Sequence, residues 1–244
     1  MKRLAPAALA FVLLALFAGV MSLEPITQSP GYHGFADQRL LFGVPNFLDV
    51  ASNIGFVVVG VLGVALCVGQ RRPRAASWMV FFICTLLTAF GSAYYHWAPN
   101  DATLVWDRLP ISLAAMALLV AVVVEHFPET REHFLLASAL VAGAASVIWW
   151  KWSGDLRPYL WVQFAPLVCI PGMVATLPAR HTHRRYLLYA IGLYCVAKAT
   201  ELADKEIFTM TGHLVSGHTL KHLLAAAAIF VIFLMLRRRE PIHA

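Results

Sequence analysis

Eight stretches of mostly apolar residues divide the chain: 4–21, 46–68, 76–97, 105–126, 134–150, 159–177, 186–203 and 212–236. Each is close to the ~20 residues that cross the hydrocarbon core of a bilayer. Most lack the polar stripe that a helix of a soluble bundle keeps toward water. The pattern predicts an all-α, polytopic membrane bundle. Residues 1–23 form an N-terminal hydrophobic segment, either a retained helix or an export signal, with the retained helix favoured. Residues 24–45 are the longest polar stretch and predict a cap over one end of the bundle. Residues 46–236 then hold seven core helices, and residues 237–244 a basic tail.

Composition supports this reading. The 244 residues are 60% hydrophobic and 13% charged, against roughly 25% charged in a soluble domain. The net charge of +6 is concentrated in QRRPR (70–74), RHTHRR (180–185) and RRR (237–239). With Lys2 and Arg3 in the cytoplasm, alternation across eight spans puts all three clusters there too, as the positive-inside bias requires. No soluble basic domain exists to bind nucleic acid. The short loops and export-like start point to a bacterial inner membrane, with the C-terminus cytoplasmic. Cys67, Cys84, Cys169 and Cys195 all fall in apolar segments without a C-x-x-C pair, so they are expected to be core residues rather than disulfides or metal ligands. Most tryptophans flank the spans, as an interfacial belt does.

The same alternation brings four distant polar residues to one membrane depth, near the outer face: His96, Asp107, His218 and His222. Ionisable groups at that depth are costly and tend to mark function. His218 and His222 lie four apart and share a helix face; Ser92 and His96 do likewise. Catalytic zinc is commonly held by three protein ligands with a fourth position for water, and the three histidines fit that set. The glutamate of an H-E-x-x-H motif is absent, so Asp107 is the candidate base and Ser92 a candidate donor to an oxyanion. Each residue also has a structural reading. The histidines can be hydrogen-bonded packing residues, Asp107 and Arg108 an ion pair, and Ser92 part of a small-residue packing face. Lys198 and Glu201 are expected to neutralise each other. Lys221 is expected to point off the histidine face, and His181 and His183 to be solvated.

The run Ser92-Ala-Tyr-Tyr-His96, then Asp107-Arg-Leu-Pro110, then His218-x-x-x-His222 resembles the signature of the alkaline ceramidases. These belong to a wider group of seven-helix hydrolases that includes the progestin and adipoQ receptors. Pro45-Asn46-Phe47 through Ser52-Asn53 also resembles their first core helix, and the likeness spans about residues 32 to 236. It implies a zinc site of His96, His218 and His222, with Asp107 as proton acceptor and Ser92 as oxyanion partner. It also implies hydrolysis of a ceramide-like lipid, drawn from the bilayer, to a long-chain base and a fatty acid. One departure concerns the calcium site of the eukaryotic members. Here Asp37, Asn46, Asp49 and Asn53 offer fewer acids in a loop of different length, while calcium takes six to eight oxygens; a second metal site there is left open. The receptor branch supplies the rival expectation, a lipid-binding receptor or transporter-like protein with a structural zinc. Nothing in the sequence gives the oligomeric state.

Overall fold

A computed structural model describes residues 4–69, 76–127 and 131–242. The basic run at 70–74 and the Lys2-Arg3 pair lie outside the described residues. The described chain is all-helical, with isolated bridges in place of strands. In order the helices are α1 (Leu4–Met21), α2 (Phe47–Ala51), α3 (Ile54–Gly69), α4 (Ala76–Trp97), α5 (Asp101–His126), α6 (Glu132–Ser153), α7 (Arg157–Thr176), α8 (Tyr186–Leu202), α9 (Asp204–Met210) and α10 (Gly217–Arg238).

Six of these units are long and apolar enough to cross a membrane: Phe47–Gly69 taken together, α4, α5, α6, α7 and α10. The predicted boundaries hold best for α1 and α4. α5 begins four residues before the predicted 105, because Asn100 caps it: the Asn100 side chain accepts from the backbone N–H of Ala102 and Thr103 at 2.8 and 3.1 Å. The predicted last stretch starts too early. Its first residues instead form the turn between α9, a short helix without a sequence counterpart, and the true start of α10 at Gly217.

α5 is the central helix: Leu119 to Val124 are all buried, among α4, α6 and α7. α8 and α10 pair on one side, α10 returns to α3, and α1 lies against α7. Trp161 of α7 holds α1 by donating its indole N–H to the Leu13 carbonyl at 3.1 Å and by edge contact with Phe17. Large apolar side chains cover the outside, among them Phe11, Phe90, Phe134, Ile148 and Leu202. Trp97, Trp106 and Trp152 are exposed near helix ends, as the belt reading expects, whereas Trp78 and Trp150 are core residues. Cys84 and Cys169 are buried and Cys67 half-buried; Cys195 departs from expectation, lying on the apolar outer surface of α8.

Close helix approach is built on small residues, because dispersion rather than water exclusion drives packing in lipid. At Gly91 a Cβ would come within 2.0 Å of the Trp106 carbonyl oxygen. That carbonyl is the one Pro110, lacking an N–H, cannot bond four residues later. Gly91 therefore lets α4 lie directly on the gap that Pro110 leaves in α5, which sets Ser92 beside Asp107.

The two ends of the bundle differ. At one end Glu125 accepts from Trp78 Nε1 at 2.8 Å and from Arg239, and Thr182 N–H donates to the Glu240 carbonyl at 3.0 Å. This joins the 180–185 basic loop to the tail. His181 is accordingly half-buried near Glu125 rather than solvated, while His183 is exposed. The histidines lie at the other end, under the 24–45 segment. Gly91→Ala should destabilise the protein by about 1–3 kcal/mol through overpacking. Gly172→Ala, where a Cβ meets nothing within 4 Å, should be neutral or mildly stabilising; thermal unfolding in detergent compares the two.

Candidate metal centre

α10 starts against the end of α8. Gly217 permits this, since a Cβ there would sit 2.1 Å from the Thr200 carbonyl oxygen. The first turn of a helix leaves backbone N–H groups without partners. Here the Ser216 side chain accepts from Thr219 N–H at 3.0 Å, and Asp204 Oδ1 accepts from His218 N–H at 2.7 Å. The other Asp204 oxygen accepts from Ala36 N–H of the cap at 2.8 Å. Asp49 Oδ1 accepts from the hydroxyls of Thr219 and Ser216 at 2.6 and 3.1 Å. α2 and α10 are thereby locked together one turn from the histidines. The other side is fixed by Asn46, which donates its side-chain N–H to the carbonyl of His96 at 2.7 Å, satisfying an orphan acceptor at the end of α4.

Held this way, the three imidazoles form a nearly equilateral triangle. Ring centroids are 4.7 Å apart for His96–His218, and 4.9 Å for His96–His222 and His218–His222. One nitrogen of each lies within 4.8 Å of the others, and all three side chains are buried. This trio can hold a metal ion. Among the described residues it is the one group of three or more His, Cys, Asp or Glu side chains so placed.

Hydrogen bonding identifies the ligand atom of His222. Ser52 Oγ lies 2.8 Å from His222 Nδ1 and 3.2 Å from the Asp49 carbonyl. A hydroxyl has one proton to give. With that proton on the carbonyl, Ser52 accepts from Nδ1–H, and the Nε2 lone pair of His222 faces the triangle. Orientation of a ligating ring through its second nitrogen is the usual outer support of a metal site. His218 Nε2 and His96 Nε2 stand 3.1 Å apart. Two bare lone pairs at that distance need a proton or a cation between them.

Ser92 and Asp107 are at the same place. Ser92 Oγ is 3.4 Å from His222 Nε2, and the buried Asp107 lies beside Ser92 with its Oδ1 lacking a hydrogen-bond partner among the described residues. Asp107 and Arg108 do not form the ion pair that their adjacency offers. Successive helical residues point about 100° apart, and Arg108 turns into an aromatic box, 4.1 Å from the Trp150 ring, 4.7 Å from Tyr159 and 5.3 Å from Tyr32.

Lys221 also differs from expectation. Its long stem brings Nζ to 3.3 Å from His222 Nε2 and 3.4 Å from Glu201 Oε1. Helical phase placed its Cβ off the histidine face but ignored the reach of four methylenes. Lys198 pairs with Glu201, as its spacing predicted.

The segment at 24–45 caps the centre. Phe35 packs edge-on against His96 and His218, with both centroids at 4.6 Å. His33 bonds Tyr95 through Nδ1 at 2.8 Å and Asp101 through Nε2 at 3.2 Å. Arg157 donates to the carbonyls of Met21 and Leu23 at 3.0 and 2.6 Å.

The four residues marked for a second metal serve as braces. Asp37 Oδ1 accepts from Arg39 N–H and Nε at 3.1 and 2.8 Å, and its Oδ2 from Nη2 at 2.6 Å. Asn53 donates to the Asp49 carbonyl at 2.8 Å; Asp49 and Asn46 have the partners given above. Asp49 Oδ2 and Asn53 Oδ1 remain without hydrogen-bond partners. Ser52 and Asp204 carried no signal as site residues in the sequence: the His222 partner of Ser52 lies 170 positions away, and Asp204 meets the His218 N–H, 14 positions on, only through the turn between α9 and α10.

No family model and no curated protein matches this chain.

Ser52→Ala should lower metal affinity about 10–100-fold without unfolding the protein, as loss of an outer-shell partner does; competition against a chelating dye measures it. Burial pushes the Asp37 carboxyl up, but the hydrogen bonds and charge of Arg39 outweigh burial and hold it below its ordinary value. A lowered carboxyl stabilises fully above its unfolded value of about 3.9 and loses that contribution as pH falls through the folded value. This tie should be constant near neutrality and loosen only below about pH 4. Cleavage of 24–45 by an acid-active protease should rise there, and the rise should vanish in Asp37→Asn.

Proposed function

We propose that the protein is a zinc-dependent membrane amidase that cleaves the N-acyl bond of a ceramide-like lipid to a fatty acid and a long-chain base. The observation that supports it most is a triangle of buried imidazoles beside a buried carboxyl with an oxygen unpartnered and a serine hydroxyl. Packing histidines have no need of either neighbour.

Zinc fits the donor set: three neutral nitrogens leave a fourth position open. Tetrahedral zinc with Zn–N near 2.0–2.1 Å keeps its nitrogen ligands about 3.3 Å apart, and the His96–His218 nitrogens already stand at 3.1 Å. Bound there, zinc supplies a Lewis acid for an acyl carbonyl and activates water near neutral pH. The protein's own groups complete the chemistry. Asp107 takes a proton from the attacking water as its oxygen bonds to the acyl carbon. Ser92 donates to the oxygen of the former carbonyl as it gains charge. Asp107 then returns the proton to the amide nitrogen while the C–N bond breaks, leaving a carboxylic acid and an amine; the acid's remaining proton passes to the amine, giving a carboxylate and an ammonium.

The membrane frame suits such a substrate. In this reading α8 crosses the bilayer along with the six longer spans, giving seven core helices with α1 as an extra one. The basic 180–185 loop and the Arg237–Arg239 tail face the cytoplasm of a bacterial inner membrane, and the capped histidine end faces outward. A two-chain lipid then approaches from within the bilayer rather than through the cap. The rival, a receptor or transporter-like protein with structural zinc, predicts metal and lipid binding without product. In its favour stands only the shared histidine set, which does not use the unpartnered oxygen of Asp107.

Purified protein should contain one zinc per chain, lost in His96→Ala. Wild type should hydrolyse at least one member of a panel of N-acyl lipids, ceramides included, and His218→Ala none, by mass spectrometry of the products. Asp107→Asn should keep its zinc and lose turnover at least about 100-fold. Wild-type turnover in that variant removes the base assignment. Lipid and zinc bound without any product would favour the rival.

A further inference from the structure

The hydrolytic scheme leaves one buried ion pair unused. Lys221 and Glu201 both have side chains only 15% exposed, and their charged atoms are 3.4 Å apart. Lysine is among the residues least often buried, and inside an apolar bundle its charge is costly. Glu201 does not account for Lys221 fully, because Lys198 claims the same carboxylate. Lys221 and Lys198 thus share the Glu201 carboxylate, and Asp107 is the other acid whose charge acts on Lys221, next to a site whose ligands would take a doubly charged cation. On electrostatics alone Lys221 opposes metal binding. With Glu201 and Asp107 set against Lys221, Lys198 and a divalent ion, the loaded centre stays net positive and favours an added anion.

The hydrogen bonds say where that anion would sit. An ammonium has three N–H donors. One meets Glu201, and a second faces His222 Nε2 at 3.3 Å. Ser52, by taking Nδ1–H, leaves that Nε2 lone pair as the one available to a metal. Once the lone pair is committed, the Lys221 donor facing it needs another acceptor within the same few ångströms. Ser92 Oγ, 3.4 Å from the same nitrogen, borders the same space.

We propose that Lys221, braced by Glu201, is a catalytic residue that donates to the acyl oxygen of the substrate and then to the carboxylate of the released acid. The centre therefore selects ligands that place an oxygen anion beside the metal. Ser92 and Lys221, 3.4 and 3.3 Å from His222 Nε2, are the two donors for that oxygen. This rests on the N-acyl hydrolase reading, but it also makes a binding claim that does not need turnover.

The test compares zinc-loaded full-length wild type, Lys221→Met, Lys221→Arg and Glu201→Gln, each checked by zinc content and thermal unfolding. Two readouts are used: hydrolysis of an N-acyl lipid, and binding of laurate by calorimetry. Lys221→Met should keep one zinc per chain, lose kcat about 100-fold as loss of an oxyanion donor does, and leave KM little changed. Its laurate affinity should fall at least about tenfold, the scale of one hydrogen bond to a charged group. Lys221→Arg should retain laurate binding, and Glu201→Gln should weaken it less than Lys221→Met does. Should Lys221→Met not fold, Lys221→Gln carries the same comparison. Wild-type kcat and laurate affinity in the zinc-loaded methionine variant would overturn the assignment. So would selective loss of zinc from it, since the lysine would then be supporting the metal site alone. If wild type cleaves no lipid yet binds laurate in a Lys221-dependent way, the amidase reading fails and the anion site stands.

Discussion

Burying three imidazoles in an apolar bundle is costly unless their nitrogens, and the backbone groups around them, have partners. An unsatisfied buried polar group costs about 1–3 kcal/mol, and lipid supplies no water to relieve it. Much of the structure near the histidines follows from that demand. Asn46 serves the carbonyl of His96, Asp204 the N–H of His218, and Ser52 the Nδ1 of His222. Asp49 ties the hydroxyls at the start of α10 to α2. His96 Nδ1 is the exception, buried without a hydrogen-bond partner among the described residues; the nitrogens that face one another are the ones a cation would satisfy.

Packing and chemistry share residues here. Pro110 withholds an N–H from the Trp106 carbonyl, Gly91 lets α4 approach that carbonyl, and the approach sets Ser92 against Asp107. Gly217 plays the equivalent part where α10 meets α8, bringing Lys221 within reach of Glu201. Small residues at these two crossings thus locate the polar groups as well as the helices.

Much of this was legible in the sequence, and for physical reasons. Apolar runs located most of the helices, since a span has a fixed minimum length, and the spacing of His218 and His222 located a shared face. Orientation inferred from arginines put His96 at the same depth, and the structure does bring the three rings together. What stayed hidden were contacts set by side-chain reach and by distant partners. Lys221 was misjudged because helical phase describes where Cβ points, not where a four-carbon stem ends. Asp37 and Asp49 were visible as acids, but not as braces, because Arg39 and Thr219 claim them only in the folded chain. The short α9 had no apolar run to announce it.

Phe35 lies edge-on over two of the three imidazoles, and its segment is moored to α5, to the residue that precedes α7 and to α9. The aqueous route to the histidines is therefore stoppered by an aromatic ring. An ion settled beneath it would exchange only as often as that ring lifts, so a chelator in the surrounding solution would strip it at a rate independent of chelator concentration. Retention would then be a matter of kinetics as much as of binding strength.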